Sequence, residues 1–140
     1  MSAPGPGSGS SQSDSAAALN QATELLSQGA ADKAEAILRS ALREAPAHPG
    51  ILQLLAVARA RQGDLTEAEA LLREAVALDP GAPDHCVNLG IVLGQKGEFE
   101  AAVACYRAAL ERRPRMTLAH ATLGKTLHTA GRLHEAAAAY

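Results

Sequence analysis

Aromatic side chains are nearly absent from this chain: it has no tryptophan, one phenylalanine and two tyrosines in 140 residues. Binding to single-stranded nucleic acid by stacking bases on rings is therefore excluded as a design principle. Charge of one sign is lacking too. Thirteen Lys and Arg face fifteen Asp and Glu, and the formal net charge of −2 supplies no field to draw in nucleic acid or an anionic membrane. Cysteine appears only as Cys86 and Cys105, spaced as neither a CxxC pair nor a disulfide framework, so both are read as thiols filling small gaps. No apolar run reaches the roughly 18 to 20 residues that span a bilayer. The N-terminal stretch lacks the basic and apolar regions of a signal peptide. These features point to a cytoplasmic chain whose core is built from Ala, Leu, Val and Ile, with close helix contacts in place of large rings.

What is present is a beat. Gly29, Gly63, Gly97 and Gly131 are each 34 residues apart; Ala34, Ala68, Ala102 and Ala136 keep the same interval, and so do Pro46, Pro80 and Pro114. Three markers in one register define a repeat array, in which each unit buries its apolar face only by stacking on its neighbour. The register divides the chain into a Ser/Gly/Pro-rich leader over 1–14, read as disordered, three whole blocks at 15–48, 49–82 and 83–116, and an incomplete fourth at 117–140. Each block carries two amphipathic segments. In the third, Leu89, Leu93, Phe99, Val103, Tyr106 and Leu110 recur at intervals of three and four, broken at Gly97.

The spacing predicts helices over 15–28, 31–45, 49–62, 65–78, 83–96, 99–112, 117–130 and from 133 onward. Each glycine ends a first helix in the left-handed conformation, each proline stops a second helix, and Asp64 and Glu98 open second helices at the positive end of the dipole. Small residues form facing lanes, Ala22, Ala56, Gly90 and Gly124 on first helices against the alanines at 34, 68, 102 and 136 on second helices. A third lane, Ala41, Ala75 and Ala109, receives large residues of the following block. Because the chain stops at Tyr140, partway into a helix, the array is expected to continue beyond it.

The segment CVNLGIVLGQKGEFEAAVACYRAALERRP resembles a tetratricopeptide repeat, through Leu89, Gly90, Gly97, Ala102, Tyr106, Ala109 and Pro114. That resemblance, which covers Ser15 to Tyr140, implies an all-α fold, an α-solenoid that winds antiparallel helix pairs into a right-handed superhelix. It also marks departures. The family's first-helix aromatics are replaced by Ala18, Leu52, Cys86 and His120, and by Leu25, Arg59, Leu93 and Leu127, which we read as softer packing, with His120 a packed core imidazole.

In such an array the first helices line the concave face, which makes Leu19, Asn20 and Thr23, then Gln53, Val57 and Arg61, then Asp84, Val87, Asn88 and Ile91, and finally Ala121, Thr122 and Lys125 the candidate contacts with a partner. The Lys/Arg/Asn set by which chaperone adaptors clamp a peptide carboxylate is missing, since Leu19 and Thr23 stand where a basic residue and Asn belong. The asparagine ladder of O-GlcNAc transferases is half present, as Asn20 and Asn88 without Leu54 and Thr122. An Asn amide can pair with peptide backbone through both donor and acceptor.

No constellation for chemistry emerges. His120 and His128 are too far apart for a zinc site, Cys105 has no base placed beside it, and Glu67 with Glu69 and Glu98 with Glu100 diverge on their helices. The periodic glycines are isolated, and acids follow Gly63 and Gly97, so they do not form a phosphate loop. No cofactor or metal is expected. The expected function is a scaffold that holds a peptide or helix of a partner protein. The alternative is the N-terminal recognition module of a larger enzyme, a glycosyltransferase of the O-GlcNAc transferase kind, a sulfotransferase or a methyltransferase, with catalysis beyond Tyr140.

Overall fold

A computed structural model describes residues 8–139 of the chain, with side chains described for 14–134. The described residues are all-α. Seven helices follow one another: α1 (Ser8–Ser27), α2 (Ala31–Glu44), α3 (Pro49–Arg61), α4 (Leu65–Leu78), α5 (Pro83–Gln95), α6 (Phe99–Arg112) and α7 (Thr117–Ala139). They pack as sequential antiparallel pairs, in two compact units divided between Leu78 and Asp79.

Local chemistry sets the boundaries. Gly29, Gly63 and Gly97 have φ of 78°, 93° and 85°, a region that a Cβ penalises. Their left-handed turn lets the N–H of the next residue reach back to a carbonyl five positions earlier: Ala30 to Leu25 at 2.8 Å, Asp64 to Arg59 and Glu98 to Leu93 at 2.9 Å. This is the Schellman closure of a helix end. Asp64 then caps α4, its Oδ1 accepting from Glu67 N at 3.0 Å. Glu98 stands at the N-cap of α6, opening that helix as expected, but its side chain makes no cap bond there; the extra methylene of Glu suits the N-cap less well than Asp. α3 is capped instead by His48, whose Nδ1 accepts from Ile51 N at 3.3 Å. Pro46, Pro80 and Pro114 each follow the end of a second helix by two residues.

Gly131 corrects the period. It was expected to end a helix at 130, yet α7 runs unbroken from Thr117 to Ala139 and Gly131 is helical. A left-handed turn gives up helical hydrogen bonds, and the first three blocks offset that loss by packing a long second helix back onto the first. After Gly131 α7 continues instead, since glycine permits a turn without compelling one and inside a helix costs only about 0.5–1 kcal/mol. α1 also begins at Ser8, so the helix takes in 8–14 of the stretch read as a leader; no proline follows Pro6 there, and extending a formed helix is easier than nucleating one. Residues 1–7 and Tyr140, and the side chain of Ala136, lie outside the described part.

In the first unit Ala22, Leu26, Ala34, Leu38, Ile51, Leu55 and Ala58 form one buried cluster, with Leu19, Leu54, Val57 and Leu71 packed against it. The alanine lane is fully closed, Ala34 and Ala68 having no exposed surface. Above it lies a polar lattice. Arg59 donates from Nη2 to Asp64 (2.7 Å) and from Nε to Glu67 (3.0 Å), and its Nη1 meets Gln62 (2.6 Å) and Glu35 (3.5 Å). Arg39 ties Glu35 and Glu67 together at 2.7 Å each. Arg59 is thus a hub joining α2, α3 and α4, which corrects its reading as softer packing; a half-buried guanidinium can satisfy several carboxylates at once.

The lattice gives a pH signature. Hydrogen bonds from Arg39 and Gln62 hold the Glu35 carboxyl below its ordinary range, and the Glu67 backbone N–H and Arg59 do the same for Asp64. Folded carboxyls with depressed pKa bind fewer protons than the unfolded chain, so their contribution is present above the unfolded pKa of about 4 and lost as pH falls through the folded values. Thermal stability is expected to fall from about pH 5 to pH 3, and less steeply in Arg59→Leu. Parallel slopes in the two proteins would show that the lattice has no energetic weight.

In the second unit Val87, Leu89, Val92, Leu93, Ala102, Tyr106, Ala109 and Ala119 are buried. Tyr106 is 1% exposed and lies over Gly90, where a Cβ would fall 2.5 Å from its Cε1. On α7 Gly124, Leu118, Leu127 and Leu133 are exposed. His120 is exposed as well, its Nε2 donating to the Pro114 carbonyl at 2.8 Å. The packed-core reading fails because that imidazole finds a hydrogen-bond acceptor just before its own helix.

Candidate interaction face

The candidate contacts lie on first helices, and each unit presents its own set. In the first, Asn20 and Thr23 are exposed on α1 and Leu19 is half-buried against the apolar cluster. The Thr23 hydroxyl donates to Leu19 O at 2.7 Å, which leaves its lone pairs as acceptors. On α3 Gln53 and Val57 are half-buried. Arg61 reaches across to α1, and its Nη1 donates to the Leu26 carbonyl at 2.5 Å.

In the second unit Ile91, Thr122 and Lys125 come together around a cleft of about 290 Å³ between α5 and α7, also lined by Gly94, Gln95, Phe99, Tyr106, Thr126 and Thr129. Its floor stays open because residue 94 is glycine: a Cβ there would meet Thr126 Oγ1 at 3.6 Å and Tyr106 Oη at 3.8 Å. Thr122 and Thr129 turn their hydroxyl protons onto their own helix, to Leu118 O at 2.7 Å and Lys125 O at 2.9 Å. The lining is thus apolar on its walls and rich in hydrogen-bond acceptors.

Other predicted positions fall elsewhere. Asp84 is exposed, 3.8 Å from an Arg113 Nη1, and Ala121 is exposed outside the cleft. Val87 has no exposed surface and is corrected to a core residue, because at this point of α5 the stripe turns into the apolar interior. Gly94, Thr126 and Thr129 were missed by sequence reasoning. The one available signal was Gly94 itself, a glycine beyond Gly90 and Gly97 of that block, at a place where the first two blocks have Leu26 and Ala60.

Among the described residues no group of three His, Cys, Asp or Glu is arranged to hold a metal ion. Cys86 is half-buried, and burial pushes its thiol pKa up against a weaker opposing pull from Arg112, the reverse of an activated nucleophile. No described helix is long and apolar enough to cross a membrane.

Helix pairs closed by glycine turns, a buried alanine lane and a 34-residue register define a helical-repeat protein. Tetratricopeptide-repeat family models match residues 25–89, 59–108 and 87–140, and the chain belongs to that family. Among solved structures it is similar to an O-GlcNAc transferase mutant of Thermobaculum terrenum, with 34% identity and a TM-score of 0.83 over 87% of this chain. The chain spans only 24% of that protein. The first TPR domain of human RPAP3 matches at 21% identity and a TM-score of 0.80, covering 86% of this chain and 95% of that one. The first TPR of Spaghetti, solved with the HSP90 peptide SRMEEVD, matches at 21% identity and 0.77, over 85% and 94%. No curated protein sequence matches.

Proposed function

We propose that this chain is a protein–protein interaction module that holds an extended peptide or a helix of a partner on its first-helix face. The observation that carries the reading is the open cleft at Ile91, Thr122 and Lys125, where positions singled out for contact surround a space with apolar walls and unspent acceptors. Repeat domains of the same fold solved with bound peptides support it. The family's carboxylate clamp is not the mode, since Leu19 and Thr23 replace its residues. In this reading the chain holds its partner without transforming it, and it works in the cytoplasm.

A photo-crosslinking side chain at Ile91 tests the proposal, with one at the exposed Ala108 of α6 as control. Partner peptides should be captured from position 91 and not from 108, and equal capture would sink the assignment. Asn88→Ala is expected to weaken peptide binding about five- to tenfold, the worth of one hydrogen bond, with an unchanged melting temperature. A drop in melting temperature instead would make Asn88 structural.

A second reading is favoured by the likeness to the Thermobaculum terrenum enzyme: the chain is the recognition arm of a larger enzyme, most plainly a glycosyltransferase. A catalytic domain encoded beyond Tyr140 would support it, and further repeats closed by a polar helix would support the free-standing scaffold.

A further inference from the structure

At the register position that borders the second unit's cleft, the first unit carries an exposed arginine that ties two first helices together. Arg61 and Thr129 sit at the same register position, two periods apart, and so do Leu26 and Gly94. Arg61 spans from α3 to α1 and donates to Leu26 O. That carbonyl also accepts from Gly29 N at 3.1 Å, so it uses two acceptor sites. Gly94 O likewise accepts from Gly97 N at 3.1 Å. The reach made by Arg61 has no counterpart at position 129, because threonine is too short and its hydroxyl is bonded to Lys125 O. The cleft of about 290 Å³ lies where that reach is missing, over the floor that Gly94 leaves open.

From this internal pair, and resting on the peptide-holding reading above, we infer that the cleft between α5 and α7 receives an arginine side chain of the partner. Its guanidinium would donate to the Gly94 carbonyl as Arg61 does to Leu26. The methylenes would lie along Ile91 and Phe99, and the planar group would find further acceptors in Thr126 Oγ1 and Tyr106 Oη at the floor and Gln95 on the wall. Guanidinium suits this site better than ammonium, since its fork reaches several acceptors in fixed directions. Lys125 is exposed at the lining and opposes a cation, an effect that salt screens over about 8 Å. That opposition separates arginine from an acidic occupant, which Lys125 would attract.

The test is an amide NMR titration of the whole chain with N-acetyl-arginine amide, and with the glutamate and leucine amides as controls. The arginine probe should give saturable shifts at Gly94, Thr126 and Thr129, strengthened about two- to threefold in Lys125→Ala. Thr129→Arg, which supplies the occupant from within, should abolish that response and raise the melting temperature. Arg61→Ala should open a second response at Leu26 and Ala60. Equal or stronger shifts with the glutamate or leucine probe, no saturable arginine response, or one that survives Thr129→Arg would overturn the inference. If Thr129→Arg does not fold, the Arg61→Ala titration decides, and silence at Leu26 counts against it. Peptides crosslinked at Ile91 without preference for arginine would defeat this inference alone, whereas arginine binding with no peptide captured would defeat the functional proposal alone.

Discussion

Ala68→Glu is expected to unfold the first unit. Ala68 has no exposed surface, in the lane where α4 packs against α3, and a carboxylate there must be accommodated where only a methyl group fits. Overpacking alone costs about 1–3 kcal/mol. An unpaired buried charge adds a penalty of several kcal/mol, or forces the acid to take up a proton. Together these approach the whole stability of a small domain, about 5–15 kcal/mol. The measurement is the helical circular-dichroism signal on heating: a large loss before the melt, or a transition shifted down by tens of degrees. A curve that overlays the parent would mean that the lane is not closed.

The second large effect lies in the other unit and is testable as a cycle. Gly90→Ala places a Cβ at 2.5–3.0 Å from three atoms of the Tyr106 ring, which is buried and has little room to move. Against that clash stands the helix preference for alanine over glycine, worth about 1 kcal/mol. We expect a net loss of about 1–2 kcal/mol. The first two blocks show the alternative solution, with Ala22 and Ala56 where this one has Gly90, and Leu38 and Leu72 where it has Tyr106. Tyr106→Leu alone should leave a cavity and destabilise. The double variant should recover most of the loss, with a coupling energy of about 1–3 kcal/mol from chemical denaturation. Additive losses would show that the two residues are not partners.

These two positions also show what could be read in advance. Ala68 and Gly90 announce themselves in the sequence because each recurs at a fixed interval with a small residue, and a close helix contact is the one physical demand that keeps a position small in every block. The turn glycines are legible for the same reason, through the left-handed backbone. Gly131 misleads because the residue permits a turn without compelling one; the decision belongs to the helix that would pack back. Arg59 misleads in a different way. Its partners Glu35 and Glu67 lie 24 residues before it and 8 after it, and nothing local reveals that they converge. The candidate face was legible as a stripe of first-helix positions, Ile91, Thr122 and Lys125 among them. Its cleft was not, because a cavity is defined by the side chains that fail to fill it, here Gly94 and Thr129.

The Arg59 lattice bears on whether the blocks of this chain can be interchanged. The pairing of Gly90 with Tyr106 is contained within one block and would travel with it to any place in a rearranged array. The contacts of Arg59 with Glu35 and of Arg39 with Glu67 cross a block boundary, so part of the lattice forms only when these two blocks are neighbours. Repeats that look alike by their glycines, alanines and prolines are therefore not equivalent modules: a shuffled array would keep every periodic marker and still lose the ties of Arg59 to Glu35 and of Arg39 to Glu67. Order along the array is written in charge, on positions that the period does not mark.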